Sequence, residues 1–508
     1  MVKAVGNTHG IAAWAIALAI ALALASGASI AGDGVWTSAG PDGGTVDGLV
    51  ASPDTANVFY AVSRGGVFKT VDGGVNWSES SAGINRQLNG LIVHSQTGAD
   101  RLFAFGSRKA FYTQNGGVSW LDRSPDASLL SATESITAAA VSKTSPGTYY
   151  IGLSNGSVLR TSDSGNSWSA LPAIPLAAGT FSISAIDTLP FSPDELLVAT
   201  RDITGGTDHR LYNGNLTPTP WTLVPCPSGC LWESSEIVDI EFAGTGGRVW
   251  AATSFNGVGR SDDYGATWTA PGGPVSFIQG RRLAVNPADT TEVYVAGGRT
   301  GFAYTVDDGA TWTEVFGGFV GNAQLQPAVS VDVVYDPFNT ALQLVGSSGN
   351  GVYRRTSLVS DSFTPGVAGF NATNIRAVAT NLGNVVHAGF GDTFNPTFAS
   401  FRGTSNGTVW SQANGGLEAD QFRALTVDPN DPDVVYAGGV YRPHLDSSGV
   451  TFDPGNGGIY KSTDRGVTWT TIDSGIPMTG GMFSNSLFGT VRDIEVDVTS
   501  AGPGGDSQ

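Results

Sequence analysis

The sequence is poor in cysteine, histidine and charged residues. Only 2 Cys, 5 His and 3 Met occur in 508 residues, and Asp, Glu, Lys and Arg make up 14% of the chain. The shortage of thiols and imidazoles argues against a zinc centre, and we expect no metal and no cofactor. Leu-rich helical periodicity is absent after the first thirty residues, and no later segment is apolar enough to span a bilayer.

Basic residues are also scarce. The 26 Lys and Arg stand against 44 Asp and Glu, which gives a formal net charge of -18. A chain this acidic repels nucleic acid and anionic lipid, so neither is an expected partner. The balance predicts a soluble extracellular surface, with attraction for cations or basic partners as the alternative.

Small and β-forming residues are plentiful. Val, Thr, Tyr, Phe and Trp alternate with Asp, Asn, Pro and 70 Gly. This mixture favours short strands joined by tight turns.

The N-terminus has the features of an export signal. Lys3 is followed by an apolar run from Ile11 to Ala25, and sites with small residues end at Ala25, Ala28 or Ala31. We predict a signal peptide over 1–31 and a secreted, periplasmic or cell-surface protein. An uncleaved N-terminal anchor is the alternative.

The two cysteines lie close together. Cys226 and Cys230 are separated by Pro-Ser-Gly. In an exported protein this spacing predicts a small disulfide loop.

An eight-residue turn of the form Ser/Thr-x-Asp-x-Gly-x-Thr-Trp recurs along the chain. Weaker copies end at Trp120 and Trp410, a decayed copy ends at Trp221, and another has lost its Trp near 355–363. The spacing of about 43 to 59 residues suits a four-stranded propeller blade. The five close copies carry the residue pairs Asp72 and Trp77, Asp163 and Trp168, Asp263 and Trp268, Asp307 and Trp312, and Asp464 and Trp469.

The chemistry of this turn predicts a structural role for its Asp. In a hairpin the carboxylate accepts backbone N–H bonds, the Gly adopts a positive φ, and the Trp begins the next strand. We expect each Trp to pack between neighbouring turns or blades. The Asp residues of the turns are therefore not candidates for catalysis.

These turns resemble Asp-box (BNR) repeats, and the resemblance extends over 32–508. It implies an all-β propeller of four-stranded antiparallel blades, with nine to ten repeats arranged as one large ring or as two propellers. The repeat occurs in sialidases, xyloglucanase-type glycoside hydrolases, the sortilin ectodomain and assembly factors of photosynthetic membranes, so it does not determine function. This chain is most similar to the xyloglucanase and assembly-factor branch, and it lacks the Arg-Ile-Pro motif of sialidases.

The resemblance to xyloglucanases breaks down at a catalytic position. Those enzymes carry an Asp in a Thr-Asp-Ile-Gly-Gly segment of the first blade, whereas this chain has Val-Ser-Arg-Gly-Gly at 62–66. Asp392 is a weak candidate for the second carboxylate, and its alternative role is that of a solvated loop residue. One carboxylate without its partner does not cleave a glycosidic bond.

The two ends of the chain suggest an incomplete last blade. The segment 35–37 resembles a fourth strand, and 490–497 resembles the first strand of a tenth unit. We expect either a truncated sequence, which we favour, or a short last blade.

Three insertions depart from the repeat, at 202–220, 392–402 and 441–457. Long loops on a rigid scaffold often bind ligands, although a tolerated surface insertion is the alternative. Aromatic and charged side chains in the last two are the candidate binding residues, namely Phe394, Phe398, Tyr441, Arg442, His444, Asp446, Phe452 and Asp453.

The sequence therefore predicts an exported propeller, without intact catalytic residues, that binds a protein or a polysaccharide. A xyloglucanase-type glycoside hydrolase is one alternative, and an assembly or sorting factor is another.

Overall fold

The computed structural model describes residues 43–472, with gaps, and residues 494 and 496. The gaps are 64–65, 97, 177–180, 193–194, 216–219, 227–229, 245, 270–279, 298–300, 316–329, 348–350, 357–363, 366–370, 373–374, 381–384, 391–399, 405–408, 413–414, 417–421, 440–443, 446–451 and 454–457. Both end segments considered above, 35–37 and 490–497, lie outside this part except for 494 and 496.

The described chain forms nine successive antiparallel sheets, called blades 1 to 9. Blade 1 contains β2 Gly48–Ala51, β3 Phe59–Ser63, β4 Gly66–Thr70 and β5 Ser78–Glu79, and blade 2 contains β6 Gly90–Gln96, β7 Ala99–Phe105, β8 Ala110–Thr113 and β9 Leu121–Asp122. Blade 3 contains β10 Ile136–Val141, β11 Tyr149–Leu153, β12 Val158–Thr161 and β13 Ser169–Ala170, and blade 4 contains β14 Phe181–Thr188, β15 Glu195–Asp202, β16 Arg210–Asn215 and β17 Thr222–Leu223. Blade 5 contains β18 Ile237–Ala243, β19 Arg248–Thr253 and β20 Val258–Ser261.

Blade 6 contains β21 Gly280–Val285, β22 Val293–Gly297, β23 Gly301–Thr305 and β24 Thr313–Val315, and blade 7 contains β25 Ser330–Asp336, β26 Asn339–Ser347, β27 Val352–Arg355 and β28 Thr364–Pro365. Blade 8 contains β30 Ile375–Thr380, β31 Val386–Phe390, β32 Ser400–Thr404 and β33 Val409–Gln412. Blade 9 contains β34 Phe422–Val427, β35 Val435–Gly439, β38 Ile459–Ser462 and β39 Thr470–Thr471. Blade 9 also carries a small hairpin of β36 His444–Leu445 and β37 Phe452–Asp453.

The predicted all-β propeller is confirmed. Eight of the nine sheets have four strands, and in blade 5 the described residues show the fourth strand as a bridge between Arg260 and Thr269. Within the described residues there is no α-helix, and hence none that could cross a membrane. Short strands form here because β-branched and aromatic residues alternate with turn-forming residues.

Blades 1 to 7 close into a ring. Their first strands pack in succession, from β2 through β6, β10, β14, β18 and β21 to β25, and β25 in turn packs against β2. The repeats left open one large ring or two propellers. The contacts are those of a seven-bladed ring followed by two further blades, and not those of one large ring. The first strands of blades 8 and 9 pack against each other.

The ring closes without strand exchange, because each blade is built from one continuous piece of chain. The contact between blade 7 and blade 1 relies on side chains and a few backbone bonds. Leu342 and Leu344 of blade 7 pack against Phe59 and Trp77 of blade 1. The backbone N–H of Val46 donates to the carbonyl of residue 347 at 2.9 Å.

A short parallel pair links the two ends of the ring. The residues of β1, Gly43–Gly44, pair with those of β29, Asn371–Ala372. This places the chain that enters blade 1 beside the chain that leaves blade 7.

Candidate functional site

The antiparallel order divides the turns of each blade between two faces. Turns between strands 1 and 2 and between strands 3 and 4 lie at one end, and the Asp boxes occupy the latter; we call this end the box face. Turns between strands 2 and 3, together with the connections between blades, lie at the opposite end, called the loop face. Hydrogen bonds agree with this division, because Gly73 in a box donates to the carbonyl of Asn57 in the neighbouring turn at 2.9 Å.

The carboxylate of Asp72 organises the first Asp box. It accepts hydrogen bonds from the hydroxyl of Thr70 at 2.8 Å, the N–H of Val75 at 3.1 Å, and the N–H and side-chain amide of Asn76 at 2.9 and 2.8 Å. Burial acts to raise the pKa of Asp72, but these donors together lower it below 3.8. The other four close copies repeat the pattern, at Asp163, Asp263, Asp307 and Asp464.

Two successive residues of each box adopt the left-handed conformation. The glycine at position five has φ of 77 to 86° in these copies, as a hairpin turn requires. Position four is also left-handed, although it is Ser164, Tyr264, Asp308 and Arg465 in four copies, with φ of 59 to 66°. The sequence pattern predicted a positive φ at the glycine of position five but not at position four.

Each box Trp of the ring packs against the preceding blade. Trp77 lies between blades 1 and 7, Trp120 between blades 2 and 1, and Trp312 between blades 6 and 5. Trp168, Trp221 and Trp268 do the same at the interfaces between them. The indole N–H of Trp120 donates to the carbonyl of residue 80 at 2.6 Å.

Blade 7 has lost its Asp box, and a buried polar network lies at its interface with blade 6. Arg355 occupies the position of the Ser or Thr of the box, and its guanidinium donates to the hydroxyl of Tyr294 at 2.6 Å. The hydroxyl of Tyr335 donates to buried Glu292 at 3.2 Å.

Each of the three insertions includes the connection between strands 2 and 3 of its blade, and the strand ends that flank this connection lie on the loop face. The first is shorter than we expected, because 210–215 is the third strand of blade 4. The second likewise ends before 400, where β32 begins. The binding candidates Phe394, Phe398, Tyr441, Arg442 and Asp446, together with Asp392, lie outside the described residues.

The hairpin of blade 9 brings two of the remaining candidates together. His444 pairs with Asp453, and Leu445 pairs with Phe452. The backbone pairing thus places His444 beside Asp453.

Blade 1 has no carboxylate at the corresponding turn. Its second strand ends at Ser63, which is fully buried, and its third strand begins at Gly66. The turn contains only 64 and 65, which are Arg and Gly.

The loop of blade 4 is the insertion that the structure describes best. Asp202 accepts bonds from the N–H and hydroxyl of Thr204 at 2.8 and 2.6 Å. Asp208 forms a bidentate pair with Arg210 at 2.8 and 2.6 Å. Burial lowers the pKa of His209, which favours its neutral form.

An ion pair joins this loop to the connection that leads to blade 5. The Nε atom of Arg201 lies 3.2 Å from the carboxylate of Glu236. The same connection contains the disulfide between Cys226 and Cys230 and the fully buried Trp232.

Phe255 is exposed beside this connection, in the strand 2–3 turn of blade 5. Its side chain is 61% exposed. The repeat-based interpretation missed it, because we sought only loops longer than the repeat. The tetrapeptide Ser-Phe-Asn-Gly at 254–257, an aromatic residue at the tip of a polar turn, was the available signal.

Charged side chains surround part of the ring centre. The first strand of each blade pairs only with the second, so its inner edge has N–H groups without a partner in the sheet. Asp332 of blade 7 accepts the N–H of Leu49 in blade 1 at 2.8 Å, and Asp239 of blade 5 accepts that of Leu283 in blade 6 at 2.8 Å. These carboxylates cap the inner edge of the next blade.

Electrostatic coupling links these central groups. Arg282 lies 3.2 Å from Asp239, and its side chain is 39% exposed. Burial raises the pKa of Asp332 to about 7, although Arg282 opposes this shift. Burial and the nearby charge of Asp239 raise the pKa of Glu241 to about 8. No group of three or more His, Cys, Asp or Glu in the described part could hold a metal ion.

Solved structures of GH74 enzymes have a similar fold. The GH74 xyloglucanase from Xanthomonas campestris matches with a TM-score of 0.66 and 15% identity, covering 86% of this chain and 68% of that one. The GH74 enzyme from Niastella koreensis matches with a TM-score of 0.64 and 15% identity, covering 86% and 67%. An ancestral GH74 enzyme matches with a TM-score of 0.64 and 16% identity, covering 92% and 66%.

The chain therefore spans about two thirds of the length of these enzymes. At this level of identity the likeness concerns the propeller fold. No protein-family model and no curated protein sequence matches the chain.

Proposed function

We propose that this protein is an exported propeller that binds a polysaccharide on its loop face without cleaving it. The observation that supports this function is the position of the insertions. All three insertions include the connection between strands 2 and 3, whose flanking strand ends lie on the loop face, whereas the Asp boxes on the box face serve the fold. Ligand-binding residues on rigid folds are concentrated in such loops.

The absence of a carboxylate in the turn of blade 1 supports binding without hydrolysis. Hydrolysis of a glycosidic bond requires two carboxyl groups, one on each side of the bond. Ser63 and the residues at 64–66 provide none. Asp392 then has no partner at the position where the resemblance places one.

The second candidate function is glycoside hydrolysis. It is favoured by the similarity of fold to three GH74 enzymes, one of which is described as a xyloglucanase. In this case Asp392 would act with a carboxylate from another loop.

Xyloglucan and mixed-linkage β-glucan are the probes that separate these functions. We expect the intact protein to be retarded in gels containing one of these polysaccharides, with no release of reducing ends. Release of reducing ends that is lost in Asp392→Ala would refute binding without cleavage. Absence of retardation by every polysaccharide tested would refute the proposal as a whole.

A further inference from the structure

We infer that Phe255 and the Arg201–Glu236 pair form a sugar-binding subsite on blades 4 and 5 of the ring. This inference rests on the proposed function and assigns it a location. The ring of Phe255 would stack on the apolar face of a sugar, and the charged pair would bond to its hydroxyl groups.

The backbone around Phe255 is held by several hydrogen bonds. The N–H of Phe255 donates to the hydroxyl of Ser235 at 2.8 Å, and the N–H of Ser254 donates to the carbonyl of Glu236 at 3.0 Å. The side-chain amide of Asn256 donates to the carbonyl of Leu231 at 2.9 Å. An exposed aromatic ring on a fixed turn loses little conformational freedom when a ligand binds.

The connection beneath this turn is itself anchored. Trp232 is buried against the core of blades 4 and 5 and stacks edge-on against Trp268, with ring centroids 5.8 Å apart. The disulfide between Cys226 and Cys230 closes the start of the same segment. The turn that carries Phe255 is therefore supported by buried, packed residues and not by the three insertions.

The groups around the ring favour a sugar over a peptide. The turn and its connection present hydroxyl, amide and carboxylate groups, from Ser234, Ser254, Asn256 and Glu236. A peptide would need an apolar pocket or an unpaired strand edge for specific recognition. A ligand rich in hydroxyl groups instead matches one flat apolar surface surrounded by planar polar groups.

Arg201 extends this polar surface toward blade 4. Its side chain is 47% exposed while Nε contacts Glu236, so the rest of the guanidinium can donate to a ligand. His209 lies in the same region; its Nδ1 accepts the N–H of Asp202 at 3.4 Å, which leaves Nε2 as the ring nitrogen that could donate to a ligand.

The test compares two exposed phenylalanines on opposite faces. Phe255→Ala removes the proposed stacking ring, and Phe338→Ala removes a ring that is 56% exposed on the box face. Affinity for xyloglucan oligosaccharides is measured by calorimetry on the intact protein, with thermal unfolding as a check on folding. We expect Phe255→Ala to weaken binding by roughly tenfold or more, and Phe338→Ala to leave it unchanged.

The possible outcomes separate this inference from the proposed function. Undiminished binding by Phe255→Ala would overturn the subsite while leaving polysaccharide binding intact. Failure of the unmodified protein to bind any glycan would overturn both. Binding of an extended peptide that is lost in Phe255→Ala, without glycan binding, would replace the sugar with a peptide and overturn the inference as stated.

Discussion

Replacing Asp332 with Ala should weaken the closure of the ring. Asp332 is only 6% exposed, and its carboxylate accepts the N–H of Leu49 at 2.8 Å across the interface between blades 7 and 1. In the Ala variant this buried N–H has no acceptor, which costs about 1–3 kcal/mol. We expect a loss of about 2 kcal/mol in the free energy of unfolding, or roughly 3 °C in melting temperature for a domain of this size.

Asp332→Asn is the matched control, because its amide oxygen can still accept the bond from Leu49, while its NH2 group replaces the oxygen that accepts the N–H of Val333 at 2.8 Å. Since the pKa of Asp332 is raised to about 7, its native form holds a proton more tightly than the unfolded chain does. Its contribution to stability therefore falls as the pH rises from about 4 to 7. We expect the Asn variant to lose less stability than the Ala variant and to lack this part of the pH dependence.

Urea unfolding at pH 5 and pH 8, followed by tryptophan fluorescence, measures both effects. Hydrogen exchange at Leu49 reports the interface directly and should be faster in the Ala variant. An Ala variant as stable as the unmodified protein, with unchanged hydrogen exchange at Leu49, would refute the capping role of this carboxylate.

Three further predictions concern the Asp boxes. Trp120→Phe should lower the free energy of unfolding by about 1 kcal/mol more than Trp312→Phe does. The indole N–H of Trp120 donates to a carbonyl, while that of Trp312 has no partner among the described residues. Equal losses of stability in urea unfolding would contradict this prediction. Ser164→Gly should raise the free energy of unfolding by about 0.5–1 kcal/mol, because φ at this position is 59°, a left-handed conformation that Gly adopts with less strain than Ser. A fall in melting temperature would contradict the presence of backbone strain at this position. The lowered pKa of Asp72 implies a stabilisation that is complete well above pH 3.8 and is lost as the pH falls through the native value; carboxyl NMR titration should place this value below 3.8.

The blades could be predicted from sequence because each one carries its own signals. Asp72 and Trp77, with their counterparts, mark the end of the third strand in the blades that keep the box, and the local turn chemistry does not depend on the rest of the ring. The number of blades in the ring, in contrast, could not be predicted from these local signals. Trp77 packs on Leu342 and Leu344 of blade 7, and nothing in its own segment distinguishes this neighbour from a later blade.

The central carboxylates show a second limit of the sequence pattern. Residues 238–242 read Val-Asp-Ile-Glu-Phe, an alternation that is typical of a strand with one polar face. In the structure this strand is innermost, and Asp239 and Glu241 interact with the backbone of the first strand of blade 6, at Leu283 and Val285. Only the packing of blade 6 against blade 5 makes Asp239 an acceptor for the next blade, so its role could not be inferred from blade 5 alone.

The limits of the blade 4 insertion were misjudged for a related reason. Its third strand, Arg210–Asn215, has only Leu211 and Tyr212 as large apolar residues and ends in Asn-Gly-Asn. This composition resembles a loop. Pairing with β15 on one side and β17 on the other stabilises it as a strand.

The continuous chain of each blade has a consequence for the timing of synthesis. A blade can form its ladder as soon as its own residues have left the ribosome, but the bond between Leu49 and Asp332 joins residues 283 positions apart. At a translation rate of 5–20 residues per second, blade 1 waits roughly 15 to 60 s for its last neighbour. During this interval the apolar surface around Phe59 and Trp77 has no blade to cover it, and it is the surface that a chaperone would bind first.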